Sequence, residues 1–161
     1  MSNVIHLAQS DALFSDCRRY RYSLFRMWGD IAYPCCMFIG LNPSTADEVN
    51  DDPTVRRCIR FAQNWGCNSM YMMNAYAFRA TDPTVMKRHG YPVGPETDEH
   101  LTRIASLCST HVACWGVHIE PHRQFELKRL LPQLKCFGLT AGGCPKHPLY
   151  LAKDTELVDF K

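Results

Sequence analysis

The sequence has no long hydrophobic run and only a small net charge. No segment approaches the ~18 consecutive apolar residues that a membrane-spanning helix needs, so we expect no membrane association. The formal charge of the 161-residue chain is +2, which is too small to indicate nucleic-acid binding by itself. The first residues lack a basic segment followed by an apolar one, which predicts no secretory signal. The length fits one globular domain, residues 1–161.

Paired cysteine motifs are also missing, although the chain contains nine cysteines. No two of them have the C-x-x-C spacing of redox and metal sites. Cys144 and His147 stand close together, but two ligands do not make a metal site. We therefore expect reduced, mostly buried thiols in a cytoplasmic protein, with no metal and no cofactor.

Short apolar runs alternate with helical patterns along the chain. The runs that resemble buried strands cover 35–41, 69–78, 111–116 and 135–140. Helical patterns lie between them, at 54–66, 94–108 and 125–134. Residues 17–28 alternate arginine with aromatic residues, which indicates a strand or hairpin near a sheet edge. This order predicts an α/β fold with three layers, α/β/α, and a four-stranded parallel sheet that is extended by the N-terminal strand or hairpin.

Polar residues follow several of the predicted strands. Ligands of parallel α/β sheets bind beyond the carboxyl ends of the strands, so each strand exit is a candidate site. The first exit is Gly40-Leu41-Asn42-Pro43-Ser44. Glycine there permits close approach of a ligand, proline fixes the turn, and Asn42 offers a donor and an acceptor. The residues by themselves leave open that this is only an Asn-Pro turn.

The later exits carry an asparagine, a tryptophan and a histidine. Asn74 ends the second run and is followed by Tyr76 and Phe78. It either ties down a loop or reads a planar, amide-like ligand with an aromatic ring stacked beside it. Trp115-Gly116 ends the third run, where tryptophan is more typical of a core. His147 precedes Pro148-Leu149-Tyr150 and is either structural or part of a site shared with the two asparagines.

The order of these exits resembles that of the uracil-DNA glycosylase superfamily. Its members carry a water-activating turn of the form Gly-x-Asp/Asn-Pro, a strand ending in a pocket Asn, a Trp-Gly strand and a late loop that begins with His-Pro. The similar segments here are Gly40-Leu41-Asn42-Pro43, Met72-Met73-Asn74, Cys114-Trp115-Gly116 and His147-Pro148-Leu149-Tyr150. They span residues 35–152, and the Asn form of the first turn resembles the mismatch-specific uracil/thymine branch. The resemblance implies a single uracil-DNA glycosylase-like domain over residues 1–161.

A second resemblance extends over nearly the whole chain. The segments GLNPSTAD, DDPTVRRC, NAYAFRATDP, PVGPETD and HPLYL resemble an uncharacterised bacterial and phage family, domain of unknown function 1643. Membership in that family carries an expectation about the fold but implies no particular activity.

The glycosylase resemblance implies a hydrolase of N-glycosyl bonds that acts on uracil or a modified pyrimidine in DNA repair or DNA modification. Asn42 would orient the attacking water, Asn74 would read the edge of a flipped base, and His147 would stabilise the leaving base as a neutral imidazole. The other implied substrate contacts are Gly40, Leu41, Pro43 and Ser44 in the first turn, Tyr76 or Phe78 stacked on the base, and Leu149 or Tyr150 in the duplex gap. The arginines available for phosphates are Arg18, Arg21, Arg56 and Arg79.

Three functional classes remain open at this point. The chain is a DNA-base glycosylase, an enzyme that acts on free or modified nucleotides by another reaction, or a non-catalytic module that binds nucleobases or nucleic acid. The expected partner is single- or double-stranded DNA or a nucleotide, and the expected state is a monomer. Ser44 stands where the glycosylase family often has an aromatic residue, which implies room for a 5-substituted pyrimidine.

The acidic segment 45–52 is unusual beside a surface that is expected to approach phosphates. It is either a solvated loop that ends in a helix N-cap or a contact to a substrate amine or a metal.

Overall fold

One mixed sheet organises the part of the chain that the computed structural model describes, residues 9–30 and 34–161. Its seven strands are β1 (Gln9–Phe14), β2 (Arg21–Met27), β3 (Cys35–Gly40), β4 (Ser69–Asn74), β5 (Thr110–Ala113), β6 (Lys135–Cys136) and β7 (Val158–Asp159). Their order across the sheet is β1-β2-β4-β3-β5-β6-β7. The expectation about a secretory signal concerns mainly residues 1–8, which lie outside the described residues.

The four strands expected to be parallel are neighbours in this sheet. β4, β3, β5 and β6 run parallel to one another, which confirms the mixed α/β class. The sheet as a whole has more than four strands, because the expected N-terminal hairpin extends one edge and β7, which was not expected, extends the other. On one side, β2 pairs with β4 and places Leu24 opposite Met72, and β1 completes the hairpin. On the other side, β7 has only two residues, which is too short to appear as a sequence pattern.

Four helices within the described residues accompany the sheet. They are α1 (Pro53–Asn64), α2 (Pro83–Arg88), α3 (Thr97–Ala105) and α4 (Pro121–Leu130). α1, α2 and α4 begin with proline, which suits the first helical turn because the missing N–H has no partner there. None of the helices in the described ranges is long and apolar enough to cross a membrane.

The alternating side chains of β3 separate two hydrophobic cores. Met37 and Ile39 belong to a core that includes residues of α3 and α4, whereas Cys36 and Phe38 belong to a core that includes residues of α1. Successive side chains of a strand point to opposite faces, so β3 is covered on both sides. This burial explains why its sequence is a continuous apolar run.

Two of the cysteines are joined, which corrects the expectation that all the thiols are reduced. Cys36 of β3 and Cys67, just before β4, form a disulfide with their Cα atoms 6.6 Å apart. Both residues are buried in the core beside α1, so the fold brings them together over 31 positions of sequence. The other seven cysteines are free.

Candidate functional site

A cavity of about 660 Å³ lies where the parallel strands end. Its wall is formed by the exit of β3, the last residue of β4, the exit of β5, the N-terminus of α1 and the loop that follows β6. This position is the usual one for ligands of open α/β sheets, and the volume falls within the roughly 300–1,000 Å³ of small-molecule sites. The cavity is therefore the candidate functional site.

Most of the residues that the sequence singled out meet at this cavity. Segments far apart in the sequence come together because the carboxyl ends of parallel strands share one edge of the sheet. The candidate residues that line the cavity are Arg21, Gly40, Leu41, Asn42, Ser44, Asn74, His147, Leu149 and Tyr150.

Asn42 connects the first turn to the loop after β4. Its Nδ2 donates to the backbone oxygens of Ala80 at 2.8 Å, and of Pro43 and Phe78 at 3.3 Å each. These bonds give Asn42 the structural role that the sequence left open, with partners that the sequence did not reveal. Its Oδ1 accepts no hydrogen bond from the described residues, so this oxygen remains for a ligand or water in the cavity.

Asn74 is only 4% exposed and its amide has a fixed partner. Its Oδ1 accepts a hydrogen bond from Nη2 of Arg21 at 3.2 Å. Its Nδ2 lies so close to Gly40 that a Cβ atom added at Gly40 would stand 3.1 Å from it. The backbone at Gly40 therefore lies so close to the amide of Asn74 that any side chain at position 40 would crowd it.

Arg21 is a buried cation in the cavity wall. The residue is 2% exposed, and its Nη1 donates to the backbone oxygen of Ala46 at 3.0 Å. Its Nε is buried and has no hydrogen-bond partner among the described residues. Burial lowers the pKa of Arg21 to about 10, and the charge of Asp52 opposes that shift. No described carboxylate forms an ion pair with this guanidinium.

His147 has a defined tautomer. The backbone N–H of Leu149 donates to its Nδ1 at 3.2 Å, so a neutral ring carries its proton on Nε2. The side chain is open to the cavity, but the surrounding wall removes part of its hydration. This desolvation lowers the pKa of His147, and the negative charge of Asp52 opposes the shift. The lowered pKa favours the neutral ring, whose Nε2 then carries the proton.

The cavity is also lined by polar residues that the sequence analysis did not name as site residues. Asp52 caps α1 by accepting from the N–H of Val55 at 2.8 Å, and it supplies the only carboxylate among the described lining residues. Thr54, His118 and Lys146 line the wall as well. The sequence predicted Asp52 as the end of an acidic segment and a helix N-cap, which the structure confirms, but not as part of the cavity wall. A helix that follows a parallel strand begins at the edge of the sheet where that strand ends. Asp52, the N-cap of α1 after β3, could have been expected at the site for this reason.

Three predicted pocket residues lie outside the cavity lining. Tyr76 is fully buried, and its hydroxyl bonds to the side chain and the backbone N–H of Glu120 at 3.2 and 3.1 Å. Phe78 forms a β-bridge with Tyr20 and packs against that ring. Pro43 is buried within the turn. Both rings are held by protein contacts outside the cavity lining, so stacking of Tyr76 or Phe78 on a ligand stays a prediction without support from the lining.

Of the four predicted phosphate-binding arginines, only Arg21 reaches the cavity. The guanidinium of Arg18 pairs with Glu48 at 2.9 Å, and Arg79 lies 4.6 Å from the ring centre of Phe14. The side chain of Arg56 donates to the backbone oxygen of Asp51 at 3.0 Å. A phosphate-binding role for Arg18, Arg56 and Arg79 stays a prediction.

The acidic segment 45–52 is held by the protein itself. Asp47 accepts hydrogen bonds from the backbone N–H groups of Val49 and Asn50, which lower its pKa to about 2. The other carboxylates have partners in Arg18 (Glu48), Arg26 (Asp51) and the N–H of Val55 (Asp52). These contacts explain the segment as structural. Within the described ranges, no group of His, Cys, Asp and Glu is arranged to hold a metal ion.

Tyr150 stands at the rim of the cavity with its side chain fully exposed. Its φ angle is +70°, in the left-handed region that tyrosine rarely adopts. The backbone therefore holds a large aromatic ring out in solvent beside the opening.

Comparison with known proteins identifies a family. The family model described as "Protein of unknown function (DUF1643)" matches residues 21–149, a span that begins at Arg21 and includes Asn42, Asn74 and His147. No curated protein and no solved structure gives a significant match. Because the family model covers well over half of the sequence, the chain belongs to the family of proteins of unknown function DUF1643.

Proposed function

We propose that this chain is a glycosylase-like hydrolase that cleaves the N-glycosidic bond of uracil or a modified pyrimidine in DNA. One observation carries the proposal. Asn42, Asn74 and His147 come from three separate segments and line one cavity of suitable size for a nucleobase. They also follow the order along the chain that the resemblance to the uracil-DNA glycosylase superfamily implies. Helices on both faces of four parallel strands support the same fold assignment.

His147 stabilises the leaving base in this proposal. Negative charge develops on the base as its bond to the sugar breaks, and a donor placed at a carbonyl oxygen lowers the energy of that state. The Nε2–H of His147 suits this task because the Leu149 N–H already occupies Nδ1. A neutral imidazole donates this hydrogen bond without first having to be protonated.

Two side chains activate the water in this proposal: Asn42 orients it, and Asp52 accepts its proton. The free Oδ1 of Asn42 accepts a hydrogen bond from water and directs its oxygen toward the sugar carbon. An amide cannot take a proton, whereas the carboxylate of Asp52 on the same cavity wall can. The water oxygen bonds to the sugar carbon as the bond to the base breaks, and the base leaves as an anion. The water proton goes to Asp52.

The base binds between apolar side chains rather than against an aromatic ring of the β4 exit. Leu41 and Met72 line the cavity, whereas Tyr76 and Phe78 do not. Ser44 is also part of the wall, and its small side chain leaves space for a substituent at the pyrimidine 5-position. These features favour a modified pyrimidine over a site restricted to uracil.

Tyr150 provides the contact with the DNA strand. A flipped nucleotide leaves a gap in the base stack, and an exposed aromatic or apolar side chain can fill it. A left-handed backbone for a fully exposed tyrosine costs about 1–3 kcal/mol, so its position at the rim is consistent with a role in binding.

Base release from DNA tests the proposal. Purified protein is incubated with duplex and single-stranded oligonucleotides that contain uracil, a thymine mismatch or 5-hydroxymethyluracil, and abasic sites are detected by strand cleavage in alkali. We expect release from at least one substrate, lost in His147→Ala and retained in His122→Ala, which alters an exposed histidine on α4. Folded protein that releases no base from any of these substrates would show that the proposal is wrong.

A second candidate function is binding of a nucleobase or nucleotide without hydrolysis. The hydrogen bonds from Asn42 to three backbone oxygens favour it, because they account for an asparagine in the first turn by structure alone. Binding of free bases and nucleotides without base release would support this function. Conversion of a nucleotide to another product would instead identify an enzyme with a different reaction.

A further inference from the structure

The buried guanidinium of Arg21 has more donors than the protein uses. Its Nη1 and Nη2 each reach a protein oxygen, but its Nε is buried without a partner among the described residues. A buried cation is costly unless it meets an anion or fills its hydrogen bonds. Nothing in the proposed hydrolysis requires a cation at this position, so Arg21 is unexplained by that mechanism.

Arg21 also determines how Asn74 faces the cavity. An asparagine amide can offer either its oxygen or its NH2 group to a ligand. Here Nη2 of Arg21 occupies the oxygen at 3.2 Å, which turns the Nδ2 donor toward Gly40 and the cavity wall. An N–H group of a ligand would have to share the oxygen with a positively charged donor. A carbonyl oxygen or an anion would meet only N–H groups.

The other charged groups of the wall do not cancel this cation. Of the described lining residues, Arg21 and Lys146 carry positive charge and Asp52 carries negative charge. Asp52 uses one carboxylate oxygen as the N-cap of α1. The described lining thus carries two cations and one anion, and Asp52 acts on Arg21 through its charge without forming an ion pair with it.

We infer that Arg21 and Asn74 together form an anion-selective, donor-only end of the cavity, which takes a pyrimidine through carbonyl oxygens that carry or share a negative charge. The inference deepens the proposed function and rests on the cavity being a nucleobase site, but it does not depend on hydrolysis. The ligand class is an acidic pyrimidine whose ring is flanked by carbonyl groups. A pyrimidine that turns an amino group toward Asn74 is disfavoured.

Calorimetric titration of the full chain with three free ligands tests the inference near neutral pH. Barbiturate is an anion with three ring carbonyls, uracil is neutral with two, and cytosine is neutral with an amino group. We expect barbiturate to bind most tightly and cytosine to bind at least about tenfold more weakly than barbiturate, because unmatched buried donors cost that much or more. Barbiturate that binds no more tightly than uracil, or that does not bind at all, would overturn the inference.

Asn74→Asp provides a second test that keeps the shape of the side chain. A carboxylate at this position pairs with Arg21, removes the Nδ2 donor and repels an anion. We expect the variant to remain folded, with a melting temperature no lower than that of the parent, and to lose about tenfold or more of its barbiturate affinity. Asn64→Asp makes the same change of charge at the exposed end of α1 and should bind barbiturate like the parent.

Different results would contradict the anion-selective end and the proposed hydrolase. Folded Asn74→Asp protein that binds barbiturate as tightly as the parent would overturn the anion-selective end, whatever the activity on DNA. The expected order of binding together with no base release from any oligonucleotide would retain the anion-selective end and contradict the hydrolase.

Discussion

The backbone N–H of Leu149 donates to Nδ1 of His147, two residues earlier, at 3.2 Å. The hydrogen bond is local, but its consequence is chemical, because it leaves Nε2 as the nitrogen that carries the proton of the neutral ring. Desolvation lowers the pKa of the same ring. This local hydrogen bond and the desolvation of the ring together favour the neutral donor that the proposed reaction uses.

The pH dependence of base release should follow His147. Its pKa is lowered from the ordinary histidine value, so the neutral ring is the main form above that pKa and the imidazolium forms only as the pH falls through it. We expect a rate that is constant around neutral pH and falls in acid as the Nδ1 acceptor becomes protonated and its bond to Leu149 is lost. Single-turnover rates across pH, compared with an NMR titration of His147, measure this. A rate that increases on acidification would contradict a neutral donor.

Replacement of His147 should affect the reaction more than the fold. Removing one donor to a developing oxyanion typically lowers the rate by about 10²- to 10³-fold, and we expect this loss in His147→Ala. Its side chain is open to the cavity, so the melting temperature should change little. Single-turnover assays and thermal unfolding, with His122→Ala as the control, separate the two effects.

Asn42→Asp should not produce a faster enzyme, although a carboxylate is a better base than an amide. The Nδ2 group of Asn42 donates to three backbone oxygens, and a carboxylate would face those same oxygens as a second acceptor. We expect a loss of about 1–3 kcal/mol in the free energy of unfolding, since three partly buried acceptors lose their donor. Urea unfolding measures this loss, and an unchanged free energy would show that the three bonds are not maintained in solution.

Asp52→Asn should separate the structural and chemical roles of Asp52. Asparagine is as good an N-cap as aspartate, so the free energy of unfolding should be close to that of the parent, whereas Asp52→Ala should lose about 1 kcal/mol. Both variants lack the carboxylate on the cavity wall and should release base slowly. If Asp52→Asn kept the full single-turnover rate, Asp52 would not be the proton acceptor.

Gly40→Ala should reduce both ligand binding and stability. The added Cβ would lie 2.8 Å from the terminal methyl of Met72 and 3.1 Å from Nδ2 of Asn74. The methionine end can move away, but the amide is held by Arg21. We therefore expect weaker uracil and barbiturate binding in calorimetry and a lower melting temperature, because overpacking a filled site costs about 1–3 kcal/mol. Gly142→Ala, where no atom lies within 4 Å of the new Cβ, is the matched control.

Tyr150→Gly should weaken binding to DNA without lowering stability. Glycine accepts the left-handed φ of +70° at no steric cost, which offsets its larger entropy loss on folding. Loss of the exposed ring should weaken the binding of duplex oligonucleotides and leave the binding of free bases unchanged. Fluorescence anisotropy and calorimetry measure the two affinities, and equal losses in both would place Tyr150 in the base site instead of the strand contact.

The sequence by itself determined the order of the elements and the edge of the sheet at which the site lies. Apolar runs that end in Gly40 and in Asn74 predict parallel strands, and parallel strands place their exits at one edge. This rule places Asn42, Asn74 and His147 at one end of the sheet, and all three line the cavity there. It depends only on chain direction and on the burial of whole strands, which local composition encodes.

Only the tertiary structure decided which partner each polar side chain has. The bond from Arg21 to Asn74 joins residues 53 positions apart, and the fully buried Tyr76 bonds to Glu120 across 44 positions. The disulfide between Cys36 and Cys67 likewise depends on two strands that are neighbours only in the folded sheet. Such pairs are set by the register and facing of distant elements. No local pattern records them, because each side chain satisfies its hydrogen bonds with whichever group the fold brings within reach.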